Sequence, residues 1–423
     1  MRTIKNIIRN EFIQGSVYFF ISSFLVNLLN YGFNFLVGRR LGPSGFGEIS
    51  SMFAYSIIAT TPIAIFTTYI IKKVGEKTAN QLEYVKSIEF NFTTSVKKMF
   101  PLFIFAVFLL PFVSSITNLS LASSTALYIL IVLGYLSSFY NGALQGLRLF
   151  LAFSVIGIIA TFIKFSGAIS LYLGLEGIFP VLSLVVLSAI FIYAASYYYL
   201  QIIFRQNRLK KTLAKKRPVW RVFKNRYFQL VFFSTLALTI LNNADVIYAK
   251  KYLSDYEAGI YASWSLFAKI IYYALSPFIS ITFIFFSSKS ERNKHLTILK
   301  VALILLFFAF AFFYLLYTYF PTLLINILFG SKFTAILPIL SFSSIFGSFY
   351  ACLFFLNNFL LARGSNLALI LPLFTPIYLL ALLLMKKNVI NIIRLNIFFS
   401  LFVILVYLAI YLKKKLYSYF ISA

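Results

Sequence analysis

The sequence predicts an all-α membrane protein: twelve transmembrane helices in two six-helix lobes. Three observations carry this. Apolar stretches long enough to cross a bilayer fill nearly all of the 423 residues, charges are confined to the gaps, and the start of the first half is echoed at the start of the second. Hydrophobic residues make up 61% of the chain and charged residues 11%, far from the mixture of a globular domain.

A hydrocarbon core of ~30 Å requires roughly 20 apolar residues per helix. Windows of that size place spans at 13–37, 48–71, 99–118, 122–146, 149–172, 177–200, 227–249, 258–286, 296–319, 334–361, 365–385 and 389–412. In a soluble protein the net charge of +28 would point to nucleic acid, but here it follows topology, and no nucleic-acid partner is expected. Counting gaps alternately, the side holding the N-terminus collects 28 Lys and Arg, including ten in 201–226, and the other side only seven. That is the positive-inside pattern, so both termini are expected in the cytoplasm.

The longest gaps, 72–98 and 201–226, leave no room for a soluble catalytic domain. The first span is too long for a signal peptide and lacks a small-residue cleavage site. The single cysteine, Cys352, lies within a span, and the single histidine, His295, is expected in a solvated loop. No His, Cys and carboxylate cluster has metal spacing and no nucleotide-binding loop is present, so no cofactor, metal or enzymatic activity is expected.

The basic gap divides the chain into an N-terminal lobe (1–200), a cytoplasmic linker (201–226) and a C-terminal lobe (227–423). Leu29-Asn30 through Gly38-Arg39-Arg40-Leu41 and then Gly47 matches Leu241-Asn242 through Ala249-Lys250-Lys251 and then Gly259, with a one-residue slip around the basic pair. Six spans separate the copies, so they share orientation, as in parallel-repeat transporters whose substrate path lies between the lobes.

Gly38-Arg39-Arg40-Leu41-Gly42-Pro43-Ser44-Gly45-Phe46-Gly47-Glu48 resembles the signature between the first two helices of polysaccharide-repeat flippases. These form the Wzx-type branch of the multidrug/oligosaccharidyl-lipid/polysaccharide (MOP) exporter superfamily. Asn243-Ala244-Asp245 to Ala258-Gly259-Ile260-Tyr261-Ala262, Asn141-Gly142-Ala143-Leu144-Gln145-Gly146-Leu147 and Leu175-Glu176-Gly177 are similar to further patches of that family. The resemblance implies a V-shaped transporter in the bacterial inner membrane. Its cargo would be an undecaprenyl-diphosphate-linked glycan for O-antigen, capsule or exopolysaccharide. Membrane lipids, a proton or sodium counter-ion, and the polymerase and chain-length regulator of the same pathway are the expected partners.

Ionisable groups inside a membrane are costly and usually face a wet cavity or a partner. Lys164 and Lys269 fall near the middle of their spans, one in each lobe, and Arg394 about five residues from the outer end of its own. Ammonium groups attract phosphate as point charges, which marks the two lysines as candidates for an anionic head group. An internal ion pair, carbonyl bonding or, for Arg394, snorkelling is the structural alternative. Only Asp245 and Glu48 are acidic within the spans, leaving them the candidates for ion coupling, with an Asp245–Arg394 pair plausible by depth. Asn30 and Asn34 share one helical face, as do Asn242 with Asp245 and Asn141 with Gln145; such amides either read sugar hydroxyls or bond between helices. Arg39, Arg40, Lys250 and Lys251 either flank the cleft exit or anchor helix ends among head groups.

Cations outnumber acids within the spans, which favours an anionic cargo over the cationic drugs of a multidrug exporter. A membrane-embedded polymerase of lipid-linked sugars, the other alternative, calls for a larger external loop or acidic catalytic groups. The topology has a direct test. A reporter placed after Lys415 or within 201–226 is expected to read as cytoplasmic, and one inserted at 254–257 as external. An external signal from 201–226 would refute the twelve-helix arrangement.

Overall fold

The computed structural model describes residues 11–75, 80–207, 226–287 and 295–421. Residues 1–10, residues 208–225 of the basic linker, and the side chains of His295 and Lys413 to Lys415 lie outside the described residues. Among the described residues every regular element is a helix. In order these are α1 (Glu11–Gly75), α2 (Gln81–Phe108), α3 (Leu110–Thr117), α4 (Leu121–Gly146), α5 (Phe150–Ser170), α6 (Phe179–Gln206), α7 (Arg226–Leu241), α8 (Ala244–Tyr252), α9 (Asp255–Ser287), α10 (His295–Tyr319), α11 (Pro321–Leu328), α12 (Leu340–Ala362), α13 (Ile370–Leu384) and α14 (Val389–Ile421). Short 3-10 segments at Ser331–Ile339 and Asn366–Leu369 lead into α12 and α13.

Each apolar stretch read from the sequence falls on one or two of these helices. Nine of the described helices are long and apolar enough to cross a membrane, or ten when α2 and α3, bent by 59°, count as one. The first candidate, Ile21–Gly75, runs for 55 residues, well beyond the roughly 20 of one crossing. It breaks at Gly42, whose φ of 73° is open to glycine and strained for other residues. The expected loop at 38–47 is therefore a single-residue break inside a continuous helical run. The helix that carries the span expected at 99–118 begins earlier, at Gln81, and Glu83, Lys86 and Glu89 in its first turns hide that extension from an apolar window. Prolines within α2, α9 and α13 (Pro101, Pro277, Pro376) are of the kind membrane helices tolerate, where neighbours satisfy the freed carbonyls.

The chain forms two compact units, one of Met1–Leu41 with Ala59–Pro218 and the other of Gly42–Ile58 with Val219–Ala423. In the first, Ile70 and Val74 of α1, Phe92 of α2, Tyr140 of α4 and Phe204 of α6 share a core. Gly142 and Gly146, four residues apart on α4, admit Ile70 and Val74 so closely that a Cβ would lie 3.0 and 2.7 Å from their Cβ atoms. This small-residue spacing lets helix backbones approach without help from water.

In the second unit, α9 packs on α12, and Trp264 stacks on Phe346 with centroids 5.8 Å apart while its Nε1 donates to the Ile339 carbonyl at 2.9 Å. The segment after Gly42 lies against the start of α9. Phe46 is 1% exposed and meets Phe329 edge to face at 5.3 Å. Gly47 faces Gly259, and a Cβ built on Gly259 would stand 1.8 Å from the Pro43 carbonyl oxygen.

That approach to a rigid backbone carbonyl leaves no room for a methyl group, so Gly259→Ala is expected to cost at least ~1–3 kcal/mol. Gly157→Ala, where a Cβ meets nothing within 4 Å, is the control. Thermal unfolding in detergent should show a lowered midpoint for the first and none for the second.

Candidate functional site

In the first unit, Lys164 of α5 is half-buried and its Nζ donates to Asn30 Oδ1 of α1 at 2.8 Å. The ammonium also lies 4.7 Å from the centre of the Phe33 ring, within cation–π range. Asn30 is oriented from behind: its Nδ2 donates to the Val26 carbonyl at 2.9 Å, four residues back, which turns the amide oxygen toward the lysine. Asn34 bonds the Asn30 carbonyl in the same manner at 2.8 Å, so its amide group serves its own helix.

The second unit builds the same contact on a different helix pair. α7 stops at Leu241 and α8 starts at Ala244, with Asn242 and Asn243 in the break. Asparagine side chains compete with the helix ladder for backbone partners, which favours an interruption there. Asn243 donates through Nδ2 to the Thr239 carbonyl at 2.9 Å, again four residues back, and accepts from Lys269 Nζ of α9 at 3.2 Å. At the end of α7 the carbonyls of Leu238, Thr239 and Ile240 are taken by Asn242 N–H, Asn243 Nδ2 and Asn243 N–H, so the break is capped by the asparagines themselves. Sequence reasoning selected Asn242, which is buried at 6% exposure, and missed Asn243. The one-residue slip in the repeat was the available signal.

Asp245, the second residue of α8, is fully buried. It does not meet Arg394, which is exposed. Its carboxylate accepts from the Tyr261 hydroxyl and, at 2.8 Å, from Asn396 Nδ2, two residues along α14 from Arg394. Tyr378 completes the cluster by donating to Asn396 Oδ1 at 2.7 Å. Depth matched Asp245 to the right part of α14, but the helical period turns Asn396 inward and Arg394 outward.

The basic pairs divide. Arg39, Arg40 and Lys251 are exposed, with Arg40 Nε donating to the Leu171 carbonyl at 3.1 Å. Lys250 is only 3% exposed and joins Glu48 at 2.9 Å and Asp255 at 2.5 Å. Glu48 is itself buried, so this pair ties the segment after Gly42 to the end of α8. Asn141 Oδ1 accepts from Ser196 of α6 at 3.0 Å and Gln145 Nε2 donates to the Asn141 carbonyl at 3.3 Å, both bonds within the helix bundle. A buried carboxylate missed by the sequence is Glu89 on α2, which fell in a gap because the helix extends well before the apolar stretch.

Removing Lys250 takes the buried counter-ion from Glu48, whereas removing Glu48 leaves Lys250 its more exposed partner Asp255. Lys250→Met is therefore expected to cost about 3–5 kcal/mol and Glu48→Gln less. The double variant should recover much of the loss. Melting midpoints of the four proteins form the cycle, and additive losses would show the pair to be uncoupled.

Comparison with known proteins places this geometry. No curated protein matches the chain in sequence. Among solved structures, it is similar to an inward-facing multidrug resistance MATE family transporter of the MOP superfamily, with TM-score 0.67, 14% identity, and 90% of this chain and 93% of that one covered. It is similar to the lipid II flippase MurJ in an inward closed conformation, with TM-score 0.63, 14% identity and 94% and 87% coverage. A MOP superfamily transporter from Pyrococcus furiosus, for which a reversed polarity of the binding pocket suggests a different function, aligns with TM-score 0.54, 13% identity and 93% and 94% coverage. These identities establish the fold, that of MOP-superfamily transporters. The description "Polysaccharide biosynthesis protein" matches residues 12–283, well over half of the sequence, and this chain belongs to that family.

Proposed function

We propose that the chain is a flippase that moves an undecaprenyl-diphosphate-linked oligosaccharide across the bacterial inner membrane by alternating access, for assembly of O-antigen, capsule or exopolysaccharide. Twelve crossings, both termini in the cytoplasm and lobes at 1–200 and 227–423 are part of this proposal. The observation that carries it is the pair of half-buried lysines, Lys164 and Lys269, each bonded to an asparagine amide oxygen. An amide oxygen satisfies one N–H of an ammonium group without cancelling its charge. Each such group, Lys269 with Asp245 nearby, would attract one phosphate of a diphosphate.

The exposed Arg39, Arg40 and Lys251 suit the rim, where they would assist the head group as it leaves. Asp245 is the better placed of the two coupling candidates, since its bonds come from neutral Tyr261 and Asn396, while Glu48 already answers Lys250. A multidrug exporter of the same superfamily is the second reading, supported by the shared fold alone. Two cations in the spans oppose it, because a cationic drug would be repelled.

Complementation of a flippase-null strain tests the proposal. Lys164→Ala and Lys269→Ala are each expected to abolish surface polymer with normal membrane insertion, and Arg at either site to retain part of it. Full activity of the double Ala variant would overturn the role of these charges.

A further inference from the structure

A second polar site lies in the first unit, away from Lys164. Glu89 of α2 is 5% exposed. Lys86 Nζ donates to its Oε2 at 2.9 Å and to Gln201 Oε1 of α6 at 3.3 Å, while Gln201 Nε2 donates to Glu89 Oε1. This closed ring of bonds fixes three polar side chains beside a cavity of about 250 Å³ that Phe90, Thr93, Thr94, Lys97 and Tyr197 also line. Tyr197 is braced by stacking on Tyr193 at 6.2 Å and by an edge contact with Tyr140 at 5.4 Å.

The hydrogen inventory selects the ligand. Thr93 and Thr94 donate their hydroxyl hydrogens to the carbonyls of Glu89 and Phe90, at 2.9 and 2.7 Å, so toward the cavity their oxygens only accept. Glu89 also only accepts, while Lys86 and Gln201 retain N–H groups to donate. Lys86 and Lys97 would also attract a phosphate, but a phosphate has few hydrogens to give the Glu89 carboxylate and the two threonine oxygens, which displacement by phosphate tests. A sugar hydroxyl both donates and accepts, and the apolar face of a sugar ring suits an aromatic surface such as Tyr197. The volume falls just below the ~300 Å³ at which pockets for drug-sized ligands begin, enough for one ring and not for an oligosaccharide.

We propose that this cavity binds one hydroxyl-rich sugar ring. Resting on the flippase reading, that ring belongs to the glycan of the cargo, engaged on the side that the charge bias assigns to the cytoplasm. The full chain in lipid nanodiscs, probed by saturation-transfer NMR with methyl glucoside and methyl N-acetylglucosaminide, tests it. Transfer to at least one glycoside is expected. Tyr197→Leu should weaken it about tenfold, the upper worth of one aromatic contact, and Thr93→Val about fivefold, the worth of one hydrogen bond. Thr93→Val preserves side-chain shape and carries the test if Tyr197→Leu fails to fold. Transfer unaffected by Thr93→Val, absent from both glycosides, or displaced by inorganic phosphate or by phosphatidylglycerol in the disc would overturn the proposal. Sugar binding is read without transport, so a chain that binds sugar yet fails to complement a flippase-null strain supports the subsite while refuting the flippase reading.

Discussion

Within hydrocarbon no water is present to complete a hydrogen bond, so each polar group in a membrane helix must find its partner inside the protein. The described helices answer this locally. Asn30, Thr67, Thr161 and Asn243 each donate to the carbonyl four residues earlier. Interruptions of the ladder are few and filled. Gly42 takes one with a conformation that other residues resist, and Asn242 with Asn243 takes another with side chains that stand in for backbone. Both fall beside charged groups: Arg39 and Arg40 precede Gly42, and Lys269 meets the second break. Peptide dipoles at a helix end hold charge at lower cost than apolar side chains do, even where the terminal carbonyls are capped.

The lysines then separate by the company they keep. Lys250 is buried between Glu48 and Asp255, an ion pair whose field is largely cancelled and whose effect is to fix α8 to the segment after Gly42. Lys164 and Lys269 instead contact amide oxygens, and Asp245 near Lys269 takes its bonds from Tyr261 and Asn396. Lys250 thus reads as architecture, and under the proposed function the other two are the charges that would meet a mobile anion.

Much of this was legible in the sequence, for reasons that also mark the limits. Span positions follow from apolar length, so most helices lie where expected. Boundaries shift where amphipathic turns extend a span, which is why Glu89 lay hidden before 99. Position along a helix was legible for Lys164, Lys269 and Asp245, because counting residues along a helix measures distance. Partners were not, since Lys250 meets Glu48 across two hundred positions of sequence, a closeness that only packing decides. The resemblance signature acquires a physical content here: Gly42 supplies the break, Phe46 fills a cleft between aromatic rings, and Gly47 admits the backbone at Gly259.

The two lysine sites bear on the internal repeat expected from the sequence, which pairs Asn30 with Asn242, one residue before Asn243. Asn30 and Asn243 come from corresponding stretches, the first apolar segment of each half, and each is turned by a bond to the carbonyl four residues before it. The lysines do not correspond. Lys164 reaches its asparagine from α5, the fifth apolar stretch, and Lys269 from α9, the second stretch after the basic linker. Simple duplication would have placed both cations on matching helices. What recurs is therefore an oriented amide oxygen in an apolar setting, and in each unit a different neighbour supplies the ammonium that answers it.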